Sequence, residues 1–200
     1  MPTGNEATVA MASKQVVILD RDGTIVVDRN YLDDPAGLEF EPGAAEGLRR
    51  LYERGHRLVI ITNQSGVGRG LFSLARLAEI HARLEAMVVS IGARLEAIYF
   101  CPHAPDAECS CRKPELALLK QAASDLGFEP SAAIVIGDKM SDVEFGQRAG
   151  AATILMAAAG GTFENRQPQP DFVAANLIEA SRWIEHRTDA SRGAGPEQRR

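Results

Sequence analysis

Short β-rich apolar runs recur along the chain, separated by stretches whose apolar residues return every third or fourth position. The runs VVIL (16–19), RLVIIT (57–62), AIYF (97–100), AAIVIG (132–137) and ATILM (152–156) are continuous rather than alternating, as in strands buried on both faces. After Ser73, the positions Leu74, Leu77, Leu84, Met87, Val88 and Ile91 mark one face of a helix. Two shorter helices are predicted to begin near Pro42 and Pro114 and to close at Gly55 and Gly127. This alternation predicts an α/β fold, a doubly wound, mostly parallel sheet with helices on both faces, which binds ligands at the carboxyl ends of its strands. Stretches 1–14 and 187–200 lack apolar periodicity and are expected to be flexible tails around a single domain over 15–186.

The predicted strand ends carry the chemistry. In VVILDRDGT, Asp20 and Asp22 follow a buried strand directly. On extended backbone both carboxylates project to one side, and Gly23 permits the sharp turn after them. Two such acids need a cation or unequal protonation, and either suits phosphoryl transfer. Mg²⁺ on one Asp20 oxygen screens an approaching phosphate, the other oxygen attacks, and protonated Asp22 donates to the departing alkoxide. A pair that merely capped the turn would need no further acid, but AAIVIGDKMSD supplies one. Asp138 is the expected further Mg²⁺ ligand; Asp142 either binds the metal through water or only favours the next helix N-terminus. In ITNQSGVGRG, Thr62, Asn63 and the backbone N–H groups around Ser65 and Gly66 offer neutral phosphate donors, although an ordinary glycine loop reads similarly. In CRKPE, Lys113 is placed to neutralise phosphoryl charge and Arg112 to grip a second anion.

A net charge of −5 with scattered positive residues disfavours nucleic acid. Neither a membrane-length apolar run nor a signal-peptide pattern is visible, so the expectation is a cytoplasmic, monomeric protein acting on a small phosphorylated metabolite. All three cysteines and one of the four histidines fall in CPHAPDAECSC, residues 101–111. Cys101, His103, Cys109 and Cys111 form a C-x-H-x5-C-x-C set, a complete tetrahedral shell for structural Zn²⁺ with no position left for water. The segment is too polar for core, and an odd number of thiols in a reducing compartment argues against disulfides. The loop ends beside Arg112 and Lys113, so its zinc is expected to clamp those two cations rather than to catalyse. His56, His81 and His186 have no partner cluster and are expected to pack or face solvent; Trp183 is given no function.

Taken in order, these motifs resemble the haloacid dehalogenase superfamily of aspartate-nucleophile phosphatases: DxDGT at DRDGT, a strand-terminal Thr62, Lys113, and GDxxxD at GDKMSD. Within it, the zinc loop with DRDGTIVVDRNYL and TNQSGVGRG is similar to the group acting on D-glycero-D-manno-heptose 1,7-bisphosphate and to its histidinol-phosphate neighbours. The resemblance implies Asp20 as nucleophile, Asp22 as acid and then base, and Thr62 and Lys113 on the phosphoryl oxygens. It implies Mg²⁺ on Asp20, the Asp22 carbonyl and Asp138. It also implies substrate contacts at Asp28, Arg29, Asn30, Tyr31, Asn63, Gln64, Ser65, Arg112 and Lys139. Between Asp22 and Thr62 there is room for one loop and one helix, hence no separate cap domain and an open site. The expected reaction is removal of the heptose 7-phosphate, with histidinol phosphate as the alternative. A receiver-like signalling module is also doubly wound and phosphorylated on aspartate, but its acceptor sits on a middle strand and a zinc loop is foreign to it. A nucleic-acid 3′-phosphatase is disfavoured by the acidic balance.

Overall fold

The computed structural model describes residues 14–157 and 167–193, with 188–193 as backbone. Its strands are β1 (Val16–Leu19), β2 (Arg57–Asn63), β3 (Leu95–Cys101), β4 (Ile134–Gly137), β5 (Ala152–Met156) and β6 (Phe172–Ala174). Its helices are α1 (Ala44–Glu53), α2 (Ser65–Gly68), α3 (Leu74–Ser90), α4 (Ala117–Leu126), α5 (Met140–Arg148) and α6 (Leu177–Gly193). All strand pairs are parallel, in the order β3-β2-β1-β4-β5-β6. The winding reverses at β1, so the crevice that such a reversal opens lies over the carboxyl end of that strand. The predicted doubly wound sheet is borne out.

Successive strand residues point to opposite faces, and the two faces are filled by different helices. Val17, Leu19, Leu58, Ile60 and Ile136 pack with Leu48 and Leu51 of α1, Ile80 and Leu84 of α3, and Leu177 and Ile184 of α6. Val16, Ile18, Val59, Ile61 and Val135 pack with Leu118 and Leu119 of α4 and Phe145 of α5. Each such buried aliphatic or aromatic side chain stabilises the fold by about 1.5–3 kcal/mol. Gly47 lets α1 close on α6, because a Cβ there would lie 2.5 Å from the Leu177 backbone.

Several boundaries differ from expectation. β4 starts at Ile134 because Pro130–Ala132 form a 3-10 turn. Pro114 does not open α4; it follows Lys113 in a turn closed by Glu115 N–H to Arg112 O (2.8 Å), and the helix begins at Ala117. β6 and α6 were not foreseen. β6 has too few residues for a readable period, and α6 buries only a narrow stripe, Leu177, Ala180 and Ile184, beneath a polar surface. α6 runs on to Gly193, past position 187 where apolar periodicity ends. Residues 1–13 and 194–200, most of the two expected tails, lie outside the described residues. Among the described residues, no helix is long and apolar enough to cross a membrane.

His56 is buried, as the packing expectation for it allowed. His81 of α3 sits edge-on to Phe100 of β3, with ring centroids 5.5 Å apart. Burial, helped by the Arg21 charge, pulls its pKa down from 6.5 to about 4. The folded protein therefore refuses a proton that the unfolded chain accepts. The stability this neutral ring supports is complete above about pH 6.5 and is lost as pH falls towards 4, by about 3 kcal/mol. In urea melts, the unfolding free energy of His81→Phe should gain about 3 kcal/mol relative to wild type between about pH 7 and pH 4. A pH-independent difference would contradict a buried neutral ring.

Candidate active site

β1 delivers Asp20 to the carboxyl edge, where its N–H still donates to Ile136 O of β4 (2.9 Å). The side chain is buried, with one oxygen 2.9 Å from Nζ of Lys113. The same ammonium lies 2.5 Å from Asp142. Burial alone would raise the Asp20 carboxyl; Lys113, the Arg21 N–H and Thr62 outweigh it and hold it below its ordinary value. At Lys113 burial works downwards, yet Asp142 and Asp20 prevail and keep it charged well above neutrality. Asp138 has only the more distant Lys139 ammonium, at 3.7 Å. Burial, with the Asp20 charge added, pushes Asp138 up to about 7. Burial also raises Asp142, against the pull of Lys113.

Asp20, Asp138 and Asp142 bring carboxylate oxygens within 4.8 Å of one another. Oδ1 of Asp138 is buried without a hydrogen-bond partner. Converging hard oxygens, one of them unpartnered, are a donor set suited to Mg²⁺. Gly23 (φ +74°) makes the approach possible, since a Cβ there would lie 2.5 Å from Asp138 Oδ2. Asp142, left open between metal and helix N-terminus, is committed to Lys113 and accepts from the Lys139 N–H at 3.1 Å.

Asp22 stands to one side of this cluster. Nε of Arg21 donates to both of its oxygens at 3.1 Å and Nη2 to Oδ1 at 3.0 Å. Gln64 Nε2 donates to Asp22 Oδ2 (2.9 Å) and to Thr62 Oγ1 (3.0 Å). Above them opens a cleft of about 400 Å³ lined by Asp20, Asp22, Asp28, Asn30, Tyr31, Asn63, Gln64, Ser65, Arg112, Lys113 and Lys139. Asp28 faces Lys139 Nζ at 3.4 Å, and Asn30 and Tyr31 hold positive φ of 48° and 64°, turning the loop over the opening. Arg29 does not join them; it is exposed and paired with Glu39 at 2.6 Å.

Ser141 and Arg21 also line the cleft, and neither was singled out from sequence. Arg21 was legible in principle as the inward-pointing position between two acids on an extended segment; nothing marked Ser141. The Asn63 amide, expected to meet substrate, is taken up by the Lys113 backbone. Its Oδ1 accepts from the Lys113 N–H (3.0 Å) and its Nδ2 donates to the Lys113 carbonyl (3.3 Å).

The four expected zinc ligands do converge. Cys101 Sγ lies 3.0 Å from Cys111 Sγ and 3.7 Å from Cys109 Sγ, and His103 Nδ1 lies 3.1 Å from Cys111 Sγ. Burial, with the neighbouring Cys111 thiol, pushes Cys101 up to about 12, a value that only a bound cation would reverse. Burial also works upwards on Cys109, but the Arg112 N–H and adjacent thiols outweigh it and lower that thiol. The loop is tied to the other substrate segment as well: Gln64 N–H donates to Cys101 O (2.7 Å) and Gly68 N–H to Pro102 O (2.8 Å).

A buried carboxylate at the reversal point of a parallel sheet, neutralised by a buried lysine beside two further acids, is the arrangement expected of a phosphatase of haloacid-dehalogenase type. The family model described as HAD-hyrolase-like matches residues 110–180. The D-glycero-beta-D-manno-heptose-1,7-bisphosphate 7-phosphatase of Haemophilus ducreyi is 32% identical over 86% of this chain and 98% of its own length. Its namesake from Helicobacter pylori (strain J99) is 34% identical over 87% and 99%. A crystal structure of D,D-heptose 1.7-bisphosphate phosphatase from B. bronchiseptica complexed with magnesium and phosphate superposes with a TM-score of 0.79 at 29% identity, covering 86% of this chain and 99% of that one. The chain belongs to the haloacid-dehalogenase-like phosphatases, in the branch these relatives form, and is a phosphoric monoester hydrolase.

Replacing Asn63 with Ala deletes both side-chain bonds to Lys113 and should cost about 1–3 kcal/mol of stability. Phosphatase kcat should fall about tenfold or more as Lys113 drifts from Asp20. Unchanged kcat in a folded variant would show that the Asn63 amide does not position the lysine.

Proposed function

We propose that the protein is a Mg²⁺-dependent phosphatase that removes the 7-phosphate of D-glycero-D-manno-heptose 1,7-bisphosphate through an aspartyl-phosphate on Asp20. The observation that carries this is the Asp20 carboxylate, buried at the cleft floor and kept ionised by Lys113 at 2.9 Å. The heptose substrate is supported by the relatives' names.

Asp20, Asp138 and the Asp22 backbone carbonyl would hold Mg²⁺, which supplies positive charge where phosphate oxygens approach an anionic nucleophile. An Asp20 oxygen attacks phosphorus while the bond from phosphorus to the sugar oxygen breaks, and Asp22 gives that oxygen its proton. Lys113 and Thr62 stabilise the equatorial oxygens as charge moves onto them. Asp22, now anionic, takes a proton from water as the water attacks phosphorus; inorganic phosphate departs and Asp20 is restored. Arg112 and Lys139, both lining the cleft, suit a substrate with a second anionic end.

Cys101, His103, Cys109 and Cys111 would hold Zn²⁺ in a structural site. With the loop bonded to Gln64 and Gly68 and ending beside Arg112, a bound zinc would clamp two cleft-lining segments.

Asp20→Asn should abolish turnover of the heptose bisphosphate while leaving the fold intact by circular dichroism; retained turnover refutes the nucleophile. Faster hydrolysis of histidinol phosphate than of heptose bisphosphate by wild type would reassign the substrate and leave the chemistry standing. Cys109→Ser should lower zinc content measured by elemental analysis, lower the melting temperature and raise KM. Unaltered zinc in that variant counts against the clamp.

A further inference from the structure

Asp22 lies two positions from Asp20, yet its carboxylate stands outside the acidic cluster of Asp20, Asp138 and Asp142. A free carboxylate so near would be drawn to a cation bound there, and a carboxylate turned onto a metal ion no longer faces the leaving group. What turns Asp22 aside is Arg21. Its side chain is only 2% exposed, although the residue lines the cleft, so the guanidinium is buried rather than open to solvent. Its Nε and Nη2 grip both Asp22 oxygens at 3.0–3.1 Å. Gln64 adds a bond from the cleft side at 2.9 Å and is itself anchored on Thr62.

Burying a guanidinium is costly, and the cost is offset only where its fork is used. Here two of the three nitrogens are spent on one carboxylate. The third, Nη1, is buried without a partner, as is Nε2 of His81. The Arg21 charge helps to keep that ring neutral.

We propose that Arg21, assisted by Gln64, is a positioning residue that partitions the acids of this site. It holds the Asp22 side chain clear of the cation cluster, so that Asp20, Asp138 and the Asp22 backbone carbonyl face the metal and the Asp22 carboxyl stays turned to the leaving group. The inference rests on the reading of Asp22 as proton donor given above, and its test separates the two.

Arg21→Met, Arg21→Lys and Asp22→Asn are compared with wild type in single turnovers of 4-nitrophenyl phosphate and phenyl phosphate. Nitrophenolate leaves readily without a proton, whereas phenolate benefits from one. Asp22→Asn should slow phenol release at least about tenfold more than nitrophenol release. Arg21→Met should show the same bias with KM nearly unchanged. Arg21→Lys, which keeps the charge but loses the fork, should fall between. In a substrate-free Mn²⁺ titration, Arg21→Met should bind about fivefold more tightly than wild type, and the gain should vanish in Arg21→Met/Asp22→Asn. Leaving-group bias in Asp22→Asn but not in Arg21→Met overturns the partition while Asp22 keeps its role. Absence of bias in both overturns the two together. A Mn²⁺ gain that persists in the double variant reflects lost charge alone and also overturns it. If Arg21→Met fails to fold, Arg21→Lys decides on the same readouts.

Discussion

One buried ammonium holds the site together. Nζ of Lys113 lies 2.9 Å from Asp20 and 2.5 Å from Asp142, at a point where the sheet brings three carboxylates together. Without it, burial and mutual repulsion would drive those acids to take up protons, as burial, with the Asp20 charge added, already raises Asp138. With it, Asp20 stays anionic inside the protein, the state the proposed nucleophile requires. Whatever fixes Lys113 therefore fixes the charge of Asp20.

Lys113 does not belong to a helix or strand; it sits in the turn before α4. Its position comes from side chains and from the loop before it. Asn63, at the end of β2, grips its N–H and carbonyl, and the cysteine loop ends two residues upstream. The same loop is bonded to α2 through Cys101 and Pro102. The rigid sheet edge, the cysteine loop and the cleft-lining segment 63–66 thus form one connected frame, and a lysine on irregular backbone inherits the precision of β2. Second, independent control is exercised over Asp22, to which both Arg21 and Gln64 donate.

Much of this was legible in the sequence because it is written in local patterns. Continuous apolar runs gave β1, β2 and β5 almost to the residue, and acids placed directly after β1 and β4 pointed to the site. The cysteine loop was readable from spacing alone, since three thiols and an imidazole in eleven residues have few other uses. What was missed depends on partners distant in sequence. Asn63 looked like a substrate donor until its amide was found on Lys113, fifty residues on. Arg21 was not singled out, because its burial beside Asp22 is a property of the fold. β6 and α6 are held by packing on β5 and α1, which leaves only a thin stripe in the sequence.

The central claim is that phosphorus passes through the Asp20 side chain. Wild-type protein with Mg²⁺ and ³²P-labelled substrate, quenched in acid within one turnover and digested, should carry acid-stable, hydroxylamine-labile label on the peptide containing Asp20. Label on any other residue, or complete turnover with no labelled protein at any quench time, would contradict the account.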